Sequence, residues 1–348
     1  MLAVVLILIF SATGCITLKK QAAAPSKLGG AFFTDDRFET WKHRSQLMTP
    51  GETPGTIGGV DVYFMKFDPS DSDAIYVGTR ADGLYYSYNG GLGWMKSERL
   101  PAGLVRDLAV DNKNKCRLYA AVDTRIFKSE DCARSWVQIY YTDNAEKLVT
   151  ALAIDWYDPN VIYSGLSDGS VLKSENMGVS WRMVNQLKKR IFKIMVDPHD
   201  SRNVYVGVES TGLFKSMDKG ETWQDLNKAM KDYKESKSYY DFDLSVTVKN
   251  MIIYANKYGL LRSLDGGDTW LEVKLLTPPA SEIIYSLAID PTNANYIYYS
   301  TNSAVYKTLD AGVNWVVKKT PTTRVASEII VHPKEPAKIF VGVKEIAE

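Results

Sequence analysis

The chain is short of the residues that usually announce chemistry. It has three cysteines and three histidines in 348 residues, and its 42 Lys and Arg are offset by 41 Asp and Glu. That balance lacks the basic excess of a nucleic-acid binder, so no nucleic-acid partner is expected. His43, His199 and His332 lie far apart, and no CxxC or HExxH pattern occurs, so neither a metal site nor a cofactor is expected. What the chain has in quantity is aromatic side chains: 21 Tyr and 8 Trp, spread along its length.

The N-terminus opens with the apolar run "MLAVVLILIF", followed by "SATGC". This is the shape of a secretory core leading to small residues before a cysteine. The stretch "ATGC" resembles the bacterial lipobox. The resemblance implies a signal peptide over residues 1–14 and acylation of Cys15. It would anchor the chain to a bacterial membrane, on its outer or periplasmic side. Residues 15–28, "CITLKKQAAAPSKL", then read as a flexible tether. No Lys or Arg precedes the apolar run, so the basic leader is missing or the start is misassigned. The alternative is an uncleaved anchor from Met1 to about Leu18, which is short for a span.

The rest of the chain repeats itself. "KSMDKGETW" (215–223) has relatives at "YSYNGGLGW" (86–94), "KSEDCARSW" (128–136), "KSENMGVSW" (173–181), "RSLDGGDTW" (262–270) and "KTLDAGVNW" (307–315). A degenerate copy, "FTDDRFETW", lies at 33–41. The closing tryptophans are Trp41, Trp94, Trp136, Trp181, Trp223, Trp270 and Trp315, spaced 53, 42, 45, 42, 47 and 45 residues apart. The residue two after the Ser or Thr is Asp36, Asn89, Asp131, Asn176, Asp218, Asp265 or Asp310. Such a period marks repeated supersecondary units.

Before each motif comes an apolar strand ending in Asp, often Asp-Pro, and then a strand centred on tyrosine, as in "LAIDWYDPNVIYSG". A short turn ("ADG", "SDG", "STG") leads to a third strand, and the motif turns the chain into a fourth. Four short strands every 45 residues or so make a propeller blade. The ends complement each other: residues 325–348 supply only two first strands, and residues 29–47 only a third and fourth. The expected fold is therefore all-β, a seven-bladed propeller over residues 29–348. Its ring closes by pairing an N-terminal with a C-terminal half-blade, leaving no open array edge.

This pattern resembles the Asp-box (BNR) repeat of sialidases, sortilin-type receptor ectodomains, xyloglucan hydrolases and photosystem II assembly-factor-like proteins. In that family the motif lies on one face and ligands bind the other. The motif itself reads as turn chemistry: Ser/Thr and Asp bond backbone amides, and Gly accepts positive φ. Asn89 and Asn176 replace the acid, and Ala133 and Phe38 replace the Gly, which is incompatible with a repeated catalytic role.

On the opposite face the sequence offers Asp82, Asp168 and Glu209 in inter-strand turns as candidate acids for glycoside hydrolysis. Sialidase chemistry itself lacks its Arg-Ile-Pro signature. The same face offers Arg80, Arg190, Arg324, Tyr140, Tyr141, Tyr233, Tyr239, Tyr240 and Tyr258 as candidate binding residues. The long link "NKAMKDYKESKSYYDFDL" (227–244), without apolar periodicity, reads as an exposed loop or short helix. Antiparallel pairing about a turn near Asp123–Thr124 puts Cys116 opposite about position 131, within disulfide reach of Cys132. The functional expectation is a non-catalytic module binding a protein or a glycan, with a polysaccharide hydrolase as the alternative.

Overall fold

The computed structural model describes residues 26–48 and 55–346, and it is built of strands. Blade 1 consists of Val62–Phe67, Ile75–Thr79, Leu84–Ser87 and Met95–Lys96, paired antiparallel in that order. Blades 2 to 6 repeat it over residues 105–141, 149–186, 191–225, 239–273 and 286–319. Blade 7 joins Val325–Val331 and Ile339–Lys344 to Gly30–Thr34 and Lys42–Arg44. Gly30 pairs with Val343 and Thr34 with Ile339, so the first and last strands of the propeller share one sheet. The first strands pack side by side around a central channel, and blade 7 packs on blade 1 to close the ring.

The core is a stack of inter-blade layers. The tyrosine at the second place of five second strands (Tyr76, Tyr119, Tyr163, Tyr205, Tyr298) is fully buried, with Ile253 and Phe340 at the equivalent place in blades 5 and 7. Three of these hydroxyls reach the motif turn of the next blade: Tyr119 to the Met177 carbonyl, Tyr163 to that of Lys219 and Tyr205 to that of Gly266. The lysine that precedes the motif serine does the same, with Lys173 on Glu221 at 3.0 Å and Lys215 on the Gly266 carbonyl at 3.1 Å.

The seven motifs are superposable turns. Ser216 Oγ donates to Asp218 Oδ1 (2.8 Å) and accepts from the Gly220 amide (2.7 Å). Asp218 Oδ1 accepts from the Thr222 amide (2.8 Å), and Oδ2 from its hydroxyl (2.6 Å). Those bonds from Thr222 hold the Asp218 carboxyl down to about 2. Asn176 reproduces the bond to the Ser180 amide at 2.9 Å and adds one to its hydroxyl. The turn passes through the left-handed region at two successive residues, Lys219 (φ 58) and Gly220 (φ 90), and Ala133 (φ 65) and Phe38 (φ 71) adopt it without being glycine. The ring of Phe38 is buried and packs on Trp41 and Tyr298, which explains its presence there.

Three expectations need correction. Residues 26–28 are not tether: Ser26 bridges to Thr322, and Thr322 Oγ1 donates to the Leu28 carbonyl at 2.7 Å. Within the link 227–244 only the short 3-10 helix Leu226–Met230 and the turns after it are a connection. Tyr239–Leu244 is the inner strand of blade 5. Nor are the inner strands uniformly apolar, because the channel they enclose is polar at fixed levels. Cys15 and residues 1–25 lie outside the described residues. Cys116 and Cys132 are adjacent as a disulfide, with Cα atoms 3.8 Å apart and the Cys132 amide on the Cys116 carbonyl.

Candidate binding face and the central channel

Each first strand runs from the inter-blade link toward the Asp-box face, so its first residues stand at the opposite mouth of the channel. Six of the seven carry a bulge there, which adds one unpaired residue and re-aims its side chain. The bulged residues are Tyr63, Arg106, Thr150, Phe192, Tyr240 and Ser327. In blade 6 the equivalent residue, Tyr285, precedes a regular strand. The mouth is thus lined by four aromatics and an arginine.

The aromatics link across blades. Phe192, 38% exposed, lies parallel to Tyr239 of blade 5 with centroids 5.6 Å apart, and the Arg190 guanidinium lies over its ring at 5.3 Å. Lys344 of blade 7 lies 5.4 Å from the ring of Tyr285. Burial and the charge of Arg80 push the Lys344 ammonium below its ordinary range. Among the described residues Arg80, Arg106, Arg190 and Lys344 form no ion pair, and Nε of Arg106 and of Arg190 is buried without a hydrogen-bond partner. The mouth thus carries aromatic side chains at four of seven equivalent positions, two of them packed against the cores between blades, beside cations that form no ion pair among the described residues.

Below it the inner strands are edge strands, whose channel-facing backbone groups need partners. Side chains of neighbouring blades supply them. Asp107 Oδ2 accepts from Leu152 N (2.8 Å), Asp241 Oδ2 from Leu287 N (3.0 Å), Asp243 Oδ2 from Ile289 N (2.8 Å) and Ser286 Oγ from Ile329 N (2.9 Å). Lysines cap carbonyls in the same way: Lys66 bonds Asp107 and the Leu108 carbonyl, and Lys193 bonds Asp241 and the Phe242 carbonyl. The result is a polar belt that sews blade to blade.

Of the residues expected at the binding face, Arg190 and Tyr240 stand at the mouth, and Arg80 lies close to it. Arg324 does not: it is 11% exposed, bonds Asp61 at 2.7 Å, Glu345 at 3.0 Å and the Lys27 carbonyl, and so ties both chain ends together. Tyr239 is buried beneath Phe192. Tyr233 packs edge-on against Tyr258 and donates to the Trp270 carbonyl at 3.0 Å, so both rings are structural. Tyr140 packs on Trp181, while Tyr141 stays 64% exposed beside a cleft of about 480 Å³ between blades 2 and 3.

The three candidate acids are not brought together. Asp82, Asp168 and Glu209 stand on the turns of blades 1, 3 and 4. Burial raises the Asp168 carboxyl, but bonds from Ser170 and the Lys147 ion pair at 3.1 Å outweigh it and hold it below the carboxylate range. Tyr63, Arg106, Phe192, Tyr285 and Lys344 were missed, as was the belt. Their signal is a polar or aromatic residue at a constant place in each first strand, visible only once the strand ends are aligned.

Seven four-stranded blades, each turned by a Ser/Thr–Asp/Asn–Trp motif, settle the class. The chain is an Asp-box β-propeller. A family model described as photosynthesis system II assembly factor YCF48 matches this propeller over residues 186–335, under half of the chain. No curated protein matches its sequence. Solved structures resemble it in fold. The GH74 xyloglucanase from Xanthomonas campestris has a TM-score of 0.64 at 17% identity, covering 82% of this chain and 51% of that one. YCF48 bound to D1 peptide has 0.63 at 13% identity, covering 87% and 95%. YCF48 from Cyanidioschyzon merolae has 0.61 at 13%, covering 85% and 97%. This propeller thus spans about half the length of the GH74 structures and nearly all of the YCF48 structures. Among its described residues no helix is long and apolar enough to cross a membrane, and no group of three or more His, Cys, Asp or Glu is placed to hold a metal ion.

Proposed function

We propose that this propeller is a non-catalytic binding module that takes a segment of a protein partner at the channel mouth opposite the Asp boxes. The observation that carries the reading is the mouth itself: Tyr63, Phe192, Tyr240 and Tyr285 with the unpaired cations Arg106, Arg190 and Lys344. Aromatic faces and arginines dominate protein recognition, because they bury large area at low entropic cost and bond in several directions. The excess of positive charge favours a segment bearing carboxylates. The similarity to a propeller solved with a bound peptide supports a peptide ligand, and it covers nearly the whole of both chains. We further propose that the module is exported and held at a bacterial membrane through Cys15, on the strength of the "ATGC" stretch.

A photo-reactive residue at position 192, compared with one at Val313 on the Asp-box face, tests the site in intact cells. A protein adduct at 192 and none at 313 is expected. A glycan adduct, or none at either position, overturns the reading. Turnover of xyloglucan or another polysaccharide by the purified chain would instead establish the hydrolase alternative. For the anchor, Cys15→Ser is expected to release the chain from the membrane fraction.

A further inference from the structure

The channel contains a second feature, on the side away from the mouth. A cavity of about 390 Å³ runs along the inner strands of blades 1, 4, 5, 6 and 7 and reaches Pro198, Val246 and Pro291, so it opens among the turns at the Asp-box end. Its walls combine Met65 and Met195 with Lys66, Lys193, Asp243 and Glu328. Three of the channel acids are engaged: Asp107 and Asp241 each hold a lysine and a backbone amide, and Asp243 holds the Leu244 and Ile289 amides. Glu328 accepts no hydrogen bond and forms no ion pair among the described residues. It is the one acid that the belt does not use. Both lysines in the cavity wall are already paired with Asp107 and Asp241, so Glu328, once ionised, has no hydrogen-bonded partner there.

We propose that the cavity is a binding site for an alkylammonium group, the protonated end of a short aliphatic amine, with Glu328 as its counter-ion. The methionines supply adaptable apolar walls for the methylenes, and the carboxylate supplies the charge-assisted bond. A free amine and the lysine side chain of a peptide share this chemistry. The empty site suits such a guest: burial and the charge of Asp241 raise the Glu328 carboxyl to about 8, against the pull of Lys193 and Lys66. Asp107 and Lys344 also act on it, and Asp243 and Asp290 line the same cavity. When the ammonium enters, Glu328 gives its proton to solvent and the ion pair forms, so binding tightens as pH rises toward the amine's own pKa.

Titration calorimetry of the whole chain with n-butylammonium chloride at pH 6.5 and 8.5, beside n-butanol, tests this. Saturable butylammonium binding is expected, roughly 25-fold tighter at the higher pH and lost in Glu328→Gln, with butanol showing no pH dependence. N-acetyl-lysine methylamide separates the sources: its binding points to a side chain offered by a partner, and its failure beside butylammonium binding points to a free amine. Butylammonium binding that survives in Glu328→Gln, equal binding of butanol, or no saturation at millimolar concentration overturns the proposal. Glu328→Gln is isosteric, and its circular dichroism and melting curve verify that the ring is intact.

Discussion

The ammonium of Lys193 lies 2.9 Å from Asp241 Oδ1, and the other oxygen of that carboxylate accepts the Leu287 amide at 3.0 Å. One side-chain pair therefore joins the inner strands of blades 4, 5 and 6. Asp241→Ala would leave a lysine charge in the channel and an amide without an acceptor. Breaking such a pair from one side costs about 3 kcal/mol or more. Asp241→Ala is expected to lower the urea midpoint strongly, and Lys193→Met with Asp241→Leu to recover part of the loss. Equal stability of Asp241→Ala and the native chain would show that the belt contributes nothing.

Glu328 sets the pH dependence. Its folded-state carboxyl titrates near 8, above its ordinary value of 4.5. The folded chain then holds a proton that the unfolded chain releases, so stability falls as pH rises from about 4.5 to 8. Asp243, raised to about 6 chiefly by burial, acts in the same sense over a narrower window. Glu328→Gln is expected to remove most of this slope and to raise stability at pH 8 by on the order of 2 kcal/mol. The Asp-box carboxylates oppose this at the acid end: Asp218, Asp265 and Asp310, held near 2, lose their contribution only as pH falls toward that value. Melting temperatures of both chains between pH 5 and 9 check the prediction, and parallel curves would refute it.

The two turns that lack glycine separate backbone from side chain. Ala133 occupies the left-handed region with a methyl group, so Ala133→Gly is expected to stabilise by about 1 kcal/mol. Phe38 pays the same backbone strain, but its ring is buried between Trp41 and Tyr298, and Phe38→Gly is expected to destabilise by about 3 kcal/mol. Opposite signs at equivalent positions are the test. The same sign at both would mean that turn geometry alone governs these sites.

The periodic features were legible and the aperiodic ones were not. Seven tryptophans at a near-constant spacing reveal the blades, because each answers the same local problem of covering a tight turn. The split of blade 7 follows from what the two ends lack. Function in a ring arises where equivalent positions differ, and a single strand does not show which position that is. "YYDFDL" looked like a polar link since Asp241 and Asp243 break the apolar pattern, yet both acids are bound by backbone amides of the neighbouring blade 6. Arg324 read as a binding-face residue because nothing in the sequence places Asp61 and Glu345 beside it.

Arg324 gives the last prediction. Its guanidinium bonds Asp61 between blades 7 and 1, Glu345 just after the strand Ile339–Lys344 and the Lys27 carbonyl just before the strand Gly30–Thr34. The blade 7 sheet would survive its loss, since the pairing of Gly30–Thr34 with Ile339–Lys344 does not depend on it. The clamp over residues 26–29 would not. Arg324→Ala is expected to cost about 2 kcal/mol, as a mostly buried pair with several bonds rather than a surface one. It should also abolish hydrogen-exchange protection at the Gly29 and Gly30 amides, which bond the Gly58 and Val60 carbonyls. Arg80→Ala, on an exposed and unpaired side chain nearby, should leave both quantities unchanged. Protection that persists in Arg324→Ala would mean that the strand pairing alone holds the N-terminal segment, and that the closing ion pair is incidental.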